Sequence, residues 1–438
     1  MERDGGRPQT SAHAHRVAAD AASPAACGHT HAMELRPVTS EELPAFARAG
    51  ETAFHADVHP EDLAGQAQRF EPERSLAVFD GPDIVATTTI FTRELTIPGA
   101  IIPAACVSEV GVVATHRRRG LLTALMRRQL DDVRAAGEPL AVLWASEPAI
   151  YGRFGYGIAA FSAEIRVRTA GTRLQPGAPP PEGRMRLLAP ADALPAIAPL
   201  YDAVRRHRPG HLDRTPAWWA KRVHDPEHRR HGAGPLRVAV HEAPSGVVDG
   251  YALYAVRSVF ELEGPDGEVV VRELVADGPG ATAAMWRYLL GLDLTRHLTW
   301  EIAPADEPLA FLLEGPARPR VSTFENLWVR IVEVGAALAA RRYTAPVELV
   351  LDVQDAFCPW NTGRWRLEAG AGGASCARTD APADIALTTT ELGSVLLGGP
   401  PFAALAAAGR VRELHAGALA GADAAFGVAR APWCPEIF

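Results

Sequence analysis

Between residues 33 and 168 the apolar positions change period several times, and each change marks an element. Residues 33–37 form a short mixed run that suits an edge strand, and Thr39 with Glu42 has the spacing of a capping box, where side-chain oxygens take up the first free N–H groups of a helix. Residues 75–79 and 84–91 are apolar and β-branched, separated by Asp80-Gly81, a pair that supplies the positive φ of a hairpin turn, and residues 95–97 continue the sheet. A further β-branched run covers 107–113. Leu122, Leu125, Met126, Leu130 and Val133 then recur at three- and four-residue spacing, with Arg127, Arg128, Asp131, Asp132 and Arg134 mostly elsewhere, which predicts a helix closed by Gly137. Residues 140–145 are nearly all apolar, as expected of a strand buried on both faces. Phe161, Ala163, Ile165 and Val167 alternate with polar neighbours, the pattern of a half-buried strand.

Residues 169–183 are rich in Pro and Gly and read as a linker. Beyond it the layout repeats, with strands at 237–241, 250–257 and 268–276, a helix at 281–292 and a strand at 297–303. A last region predicts strands at 349–353, 365–367 and 385–388 with helices at 391–397 and 402–408. The expected organisation is an extension at 1–32 without order, Met33 as the first structured residue, and domains at 33–168, 184–326 and 327–438. The fold class is α+β, with two tandem domains of one layout followed by a smaller α+β domain.

Composition narrows the classes. A chain of 438 residues is too long for one ordinary core. Its formal net charge of −8 argues against a general nucleic-acid binder and is compatible with a cationic substrate. Five scattered cysteines (Cys27, Cys106, Cys358, Cys376 and Cys434) indicate neither a disulfide framework nor a zinc site, and cytosolic thiols are the expectation. No apolar run reaches membrane-spanning length, and residues 1–32 lack the apolar segment of a secretory signal. His224, His228 and His231 have helical spacing, but Pro226 interrupts the helix that a metal site would need, so they read as a solvated basic helix end.

The stretch Val107 to Gly157 carries the chemistry. A strand runs into Arg117-Arg118-Arg119-Gly120 and at once into a helix. First-turn N–H groups have no intrahelical partner and lie at the positive end of the helix dipole, so this is a trap for a pyrophosphate, and Gly120 admits the phosphates without a Cβ in the way. In the second repeat Asp277-Gly278-Pro279-Gly280 takes that place, and its carboxylate would repel an anion. Downstream of the trap come Ser146, Glu147 and Tyr151-Gly-Arg-Phe-Gly-Tyr-Gly157. Their glycines are spaced GxxGxG, which is not the dinucleotide fingerprint, and no Walker A lysine is present.

These residues resemble the GCN5-related N-acetyltransferase superfamily, whose phosphate loop reads Arg or Gln, two residues, Gly, one residue, then Gly or Ala. Leu122 departs from the last position. The pair THRRRGLL and ASE…IYGRFGYG, at 115–122 and 145–157, is similar to the enhanced intracellular survival (Eis) branch. The resemblance covers essentially everything after residue 32. It implies a catalytic acetyltransferase domain, a degenerate second one and a closing domain like the sterol carrier proteins. It also implies acetyl-CoA as co-substrate without a metal, a homo-hexamer, and primary amines as acceptors, on aminoglycoside-like polycations or lysine side chains.

Residue by residue, the resemblance carries coenzyme contacts to Val110, Val112, Arg117, Arg118, Gly120, Leu121 and Ser146, with Arg119 either a contact or a solvated neighbour. Main-chain N–H groups near Val110 to Val112 are the expected oxyanion donors. Glu147 either meets the amine or caps the next turn. Tyr151 is the implied general acid, with Tyr156 its rival. The implied general base is the C-terminal carboxylate, carried here by Phe438, which desolvation in a cleft would strengthen. Ile437 stands where family members can have an acidic residue, with Glu436 one position earlier. The alternative is a non-catalytic acyl-CoA sensor or hydrophobic-ligand carrier, although such a protein needs neither an acid nor a base.

Overall fold

The computed structural model describes residues 33–314 and 319–438; the extension expected at 1–32, with Cys27, lies outside them. Three sheets organise the chain. The first contains β1 (Glu34–Pro37), β2 (Ser75–Asp80), β3 (Asp83–Ile97), β4 (Ala100–Val112), β5 (Leu140–Trp144) and β6 (Tyr156–Ile158). It carries α1 (Leu43–Ala53), α2 (Pro60–Ala67), α3 (Leu121–Ala135) and the short α4 (Pro148–Tyr151). The capping box forms, with Glu42 accepting from the Thr39 N–H at 2.8 Å ahead of α1. The Asp80-Gly81 hairpin joins β2 to β3, with Gly81 at φ +60°. Buried Leu125, Met126, Leu130 and Val133 form the inner stripe of α3, and Gly137 follows it at φ +75°.

The first two sheets exchange strands across the boundaries drawn from the sequence. β7 (Phe161–Arg168) pairs with Thr295–Pro304 and Arg320–Glu325 in the second sheet, although its alternation reads equally well as a continuation of the first. Conversely, Leu327–Ile331 inserts between β5 and β6 in the first sheet. Unpaired strand edges expose hydrogen-bonding groups, and this insertion supplies β5 with a partner along its whole length. Strand alternation reports how a strand is buried, not which sheet buries it, so the exchange was not legible in the pattern.

The third sheet, built on Val347–Gln354, Gly363–Gly370, Gly373–Arg378 and Ile385–Thr388, shares a core with the first: Leu95, Val142 and Val329 belong to the same buried cluster as Leu351, Leu367, Leu392 and Phe402. Helix Thr389–Leu396 presses against β6 and Leu327–Ile331. A Cβ on Gly157 would lie 1.9 Å from the Thr390 carbonyl, and one on Gly393 would lie 2.4 Å from that of Val329. Two glycines of the downstream motif therefore serve close packing, since Gly155 (φ +84°) likewise leaves no room beside the Arg330 guanidinium.

The final residues run back across the molecule. Trp433 packs on Trp300 of the second domain with ring centroids 6.1 Å apart, and its main-chain N–H donates to the Pro209 carbonyl at 2.9 Å. The Asn326 side chain takes both main-chain groups of Cys434, at 2.9 and 3.2 Å. Glu436 then enters a buried ion network with Arg93 at 3.0 Å and Arg214 at 3.4 Å, while Arg214 also meets Glu273 at 2.7 Å. Burial by itself would raise the pKa of Glu273, but Arg214 and Arg222 hold it down to about 2. A depressed carboxylate contributes stability above its unfolded pKa, near 4.3, and loses it as pH falls toward the folded value. Between pH 5.5 and pH 2 the wild type should therefore lose about 2–3 kcal/mol of unfolding free energy that a Glu273→Gln variant does not lose, read from urea titrations at each pH. Parallel curves for the two proteins would refute this.

Candidate active site

The site begins where β4 leaves its neighbour. β4 and β5 run parallel and pair only at Ala105–Ala141 and Cys106–Val142. On the other side, the register with β3 slips so that Glu109 and Val110 together oppose Thr88, a bulge with Glu109 at φ +53°. Bulges sharpen twist and bend a strand, and this one turns the end of β4 away from β5. The gap opens into a cavity of about 600 Å³. Its β4 wall is Val110, Gly111 and Val112, whose backbone on that side has no strand partner, and its opposite wall is Ser146 and Glu147, just past β5.

At one end lies the N-terminus of α3. Gly120 is its N-cap residue at φ +82°, and a Cβ placed there would meet nothing within 4 Å, so the approach to the first-turn N–H groups is open. The turn is held from below by His116, whose ring lies 3.1 Å from Asp80 and 2.8 Å from the Thr115 hydroxyl. Arg118, at φ +63°, and Leu121 line the cavity. Arg117 lines it too, with its guanidinium donating to the Val112 carbonyl at 3.3 Å and that of Ala53 at 3.4 Å. Arg119 is exposed and outside the lining. A helix N-terminus with an open glycine and two arginines fits the pyrophosphate of a coenzyme A ester.

At the other end stands Tyr151, the last residue of α4, buried but lining the cavity. Burial, and then the charge of Glu147, push its pKa up to about 12. Tyr156 is different. Its hydroxyl is buried without a partner among the described residues, and its ring packs edge-on to Tyr151 at 6.0 Å. Glu147 is the N-cap residue of α4 but makes no capping hydrogen bond, so its exposed carboxylate faces the cavity.

Phe438 ends the chain against β4. It is 7% exposed, and its terminal oxygen accepts from the Ser108 hydroxyl at 2.8 Å. Ser108 lies two residues before Val110, so the carboxylate reaches the strand that walls the cavity. Glu436 is directed away from this region, into the buried network with Arg93 and Arg214, and Ile437 is 54% exposed. Next to Ser108, the Glu109 carboxylate has neither ion pair nor hydrogen bond among the described residues. A Cβ on Gly50 would come within 3.2 Å of it, and burial followed by the nearby charge of Glu51 raises its pKa.

The histidine run is not a free helix end. Helix Pro216–Val223 stops before Pro226, and His224 and His228 both meet Asp62 of α2, at 3.0 and 2.9 Å, beside Arg229 at 2.7 Å. The side chains are solvated in part, as read, with His231 exposed, but one carboxylate on a distant helix gathers His224 and His228. Among the described residues no group of three or more His, Cys, Asp or Glu is placed to hold a metal ion.

Comparison with known proteins agrees with this geometry. Residues 34–159 and 210–331 each match a model of the acetyltransferase (GNAT) domain, and residues 334–435 match a sterol carrier protein domain. An uncharacterised N-acetyltransferase of Streptomyces coelicolor is 47% identical over 412 residues, covering 93% of this chain and 100% of its own. The N-acetyltransferase Eis of Mycobacterium tuberculosis is 33% identical over 401 residues, covering 89% and 95%. The crystal structure of an Eis protein from Mycobacterium abscessus superposes with a TM-score of 0.78 at 32% identity, covering 93% and 100%. The chain is an Eis-like GCN5-related N-acetyltransferase.

It follows that this Eis-like protein is an enzyme dependent on acetyl-CoA, and the reading as a non-catalytic sensor or carrier is set aside. The second acetyltransferase domain of the fold is degenerate at its anion trap, where Asp277 precedes helix Pro279–Leu290. Sequence reasoning missed Ser108, Glu109, Arg93 and Lys221. Each is an isolated polar residue in an ordinary strand or helix pattern; in the fold Ser108, Arg93 and Lys221 meet the returning tail at Phe438, Glu436 and Ile437, and Glu109 stands beside Ser108 on β4. The departure at Ile437 next to Glu436 was the one available signal.

Proposed function

We propose that this enzyme transfers acetyl from acetyl-CoA to a primary amine of a polycationic acceptor, with Tyr151 as general acid and the carboxylate of Phe438 as general base. The observation that carries the reading is the terminal carboxylate at Ser108, two residues from the cavity wall. Acetyl-CoA supplies the activated thioester. The N-terminus of α3 with Arg117, Arg118, Gly120 and Leu121 holds the pyrophosphate, and Val110, Val112 and Ser146 line the arm that leads to the thioester. Main-chain N–H groups of the β4 edge stabilise the oxyanion. The Phe438 carboxylate takes a proton from the acceptor ammonium, the free amine adds to the thioester carbonyl, and the oxyanion collapses with loss of the C–S bond as Tyr151, protonated across the physiological range, donates to the departing thiolate; the new amide nitrogen then gives up its remaining extra proton, which restores the phenol.

Glu147 lines the cavity, and Glu109 lies on β4 next to Ser108 with Glu51 near it, a set of carboxylates that suits aminoglycoside-like amines or lysine side chains. Untagged protein should release thiol from acetyl-CoA only in the presence of such an acceptor, and a panel of aminoglycosides, polyamines and lysine peptides identifies the class. Glu109→Gln should raise KM for a polycationic acceptor about tenfold, with little change for acetyl-CoA. An unchanged acceptor KM would remove Glu109 from recognition. The same reading includes a homo-hexamer, which light scattering of the purified protein tests, and a cytoplasmic location. Among the described residues no helix is long and apolar enough to cross a membrane.

A further inference from the structure

Of the 44 lysine and arginine residues in the chain, a single one is lysine, Lys221. Every other fixed cation of that set is a guanidinium. Lys221 projects from helix Pro216–Val223, in the second domain, toward the end of the chain. Its Nζ donates to the main-chain carbonyl of Ile437 at 2.9 Å. It also stands 4.9 Å from the centre of the Trp218 ring, which Arg93 and Arg69 approach to 4.1 and 5.3 Å. The charged groups around it are Arg69 beyond α2, Arg93 on β3, Glu109 on β4 and Glu436 on the tail. No carboxylate lies within ion-pair distance among the described residues, so the ammonium is engaged with a peptide carbonyl and not with a salt bridge.

That carbonyl belongs to the last peptide bond. A peptide unit is planar, so holding the Ile437 oxygen also fixes the N–H and the Cα of Phe438. The other anchors of the tail act elsewhere: Asn326 holds Cys434, Arg93 and Arg214 hold Glu436, and Ser108 holds one oxygen of the terminus. Residue 437 has no burial of its own to fix it, because the Ile437 side chain is half exposed. We propose that Lys221 is the positioning residue of the terminal carboxylate, setting the direction in which Phe438 presents it to the acceptor amine. This rests on the reading of Phe438 as general base. A lysine suits the task because its compact ammonium meets one oxygen as a point donor, where a guanidinium would fork toward two.

The test is a double-mutant cycle in the full chain. Turnover is measured at saturating acetyl-CoA and a saturating primary amine for wild type, Lys221→Met, a chain lacking Phe438, and the combination, with melting temperatures for all four. Lys221→Met should lower kcat about 10- to 100-fold, leave KM for acetyl-CoA within twofold, and cause no further loss in the chain lacking Phe438. An equal loss in both backgrounds, or an unchanged kcat, overturns the proposal. If removing Phe438 is harmless, the general-base reading fails and this one with it. If removing Phe438 is severe and Lys221→Met is not, only this one fails. Should Lys221→Met not fold, acetylation of the folded enzyme with a reactive ester reaches this side chain alone among side-chain amines. Its occupancy, read by peptide mass after digestion so that the α-amine is counted separately, should then track the loss of kcat, and full activity at full occupancy overturns the proposal.

Discussion

Tyr151→Phe should reduce kcat by about 10²–10⁴-fold, the range of a positioned general acid, with the melting temperature and KM for acetyl-CoA nearly unchanged. The expectation follows from the different surroundings of two tyrosines five residues apart. Tyr151 lines the cavity that reaches the N-terminus of α3, whereas the Tyr156 hydroxyl is enclosed with no hydrogen-bond partner among the described residues. Phenylalanine at 151 keeps the ring that packs on Tyr156 and removes only the proton donor. Tyr156→Phe is the matched control. It removes a hydroxyl that is buried without a partner, so it should leave turnover intact and leave stability equal or higher. Steady-state kinetics on both variants decides. Full activity of Tyr151→Phe, or a large loss in Tyr156→Phe, would move the acid elsewhere.

Deleting Phe438 should be at least as damaging, again about 10²–10⁴-fold in kcat, and a short C-terminal peptide tag should do the same. Both changes move or remove the carboxylate that Ser108 holds, while Trp433, Cys434 and Glu436 keep their anchors, so the fold should persist. The tag is the more informative variant. It retains every side chain and converts the terminal acid into an amide, which has no basicity at neutral pH. Coenzyme binding by the tagged protein, measured by calorimetry, should be close to that of the untagged enzyme. A tagged enzyme with full turnover would take the carboxylate out of the mechanism.

How far the site was legible differs from residue to residue. Gly120 and the arginines before it were readable because an anion trap is local: a strand end, a glycine and a helix start within a few residues specify it. Tyr151 was preferred over Tyr156 through the motif around it, while the physical difference between them, which hydroxyl the cavity reaches, belongs to the fold. The glycines at 155 and 157 were visible as punctuation, yet their cause is the approach of Arg330 and of helix Thr389–Leu396, more than 170 residues away along the chain. Glu436 is the sharpest case. In the sequence it is an acid two places before the last residue with no evident partner, and in the fold it is turned inward to bind Arg93 and Arg214.

By itself, then, the sequence determined many of the elements, the three-part layout and the family, because hydrophobic period, turn residues and phosphate-loop spacing act over a few neighbouring positions, while helix Pro190–Arg205 with its internal prolines went unread. Tertiary structure alone decided the strand exchange between the first two sheets, the burial of the tail and the meeting of Phe438, Ser108, Glu109 and Lys221. Those contacts join residues hundreds of positions apart, and their energies come from hydrogen bonds, buried charge pairs and shared apolar cores that no local pattern records.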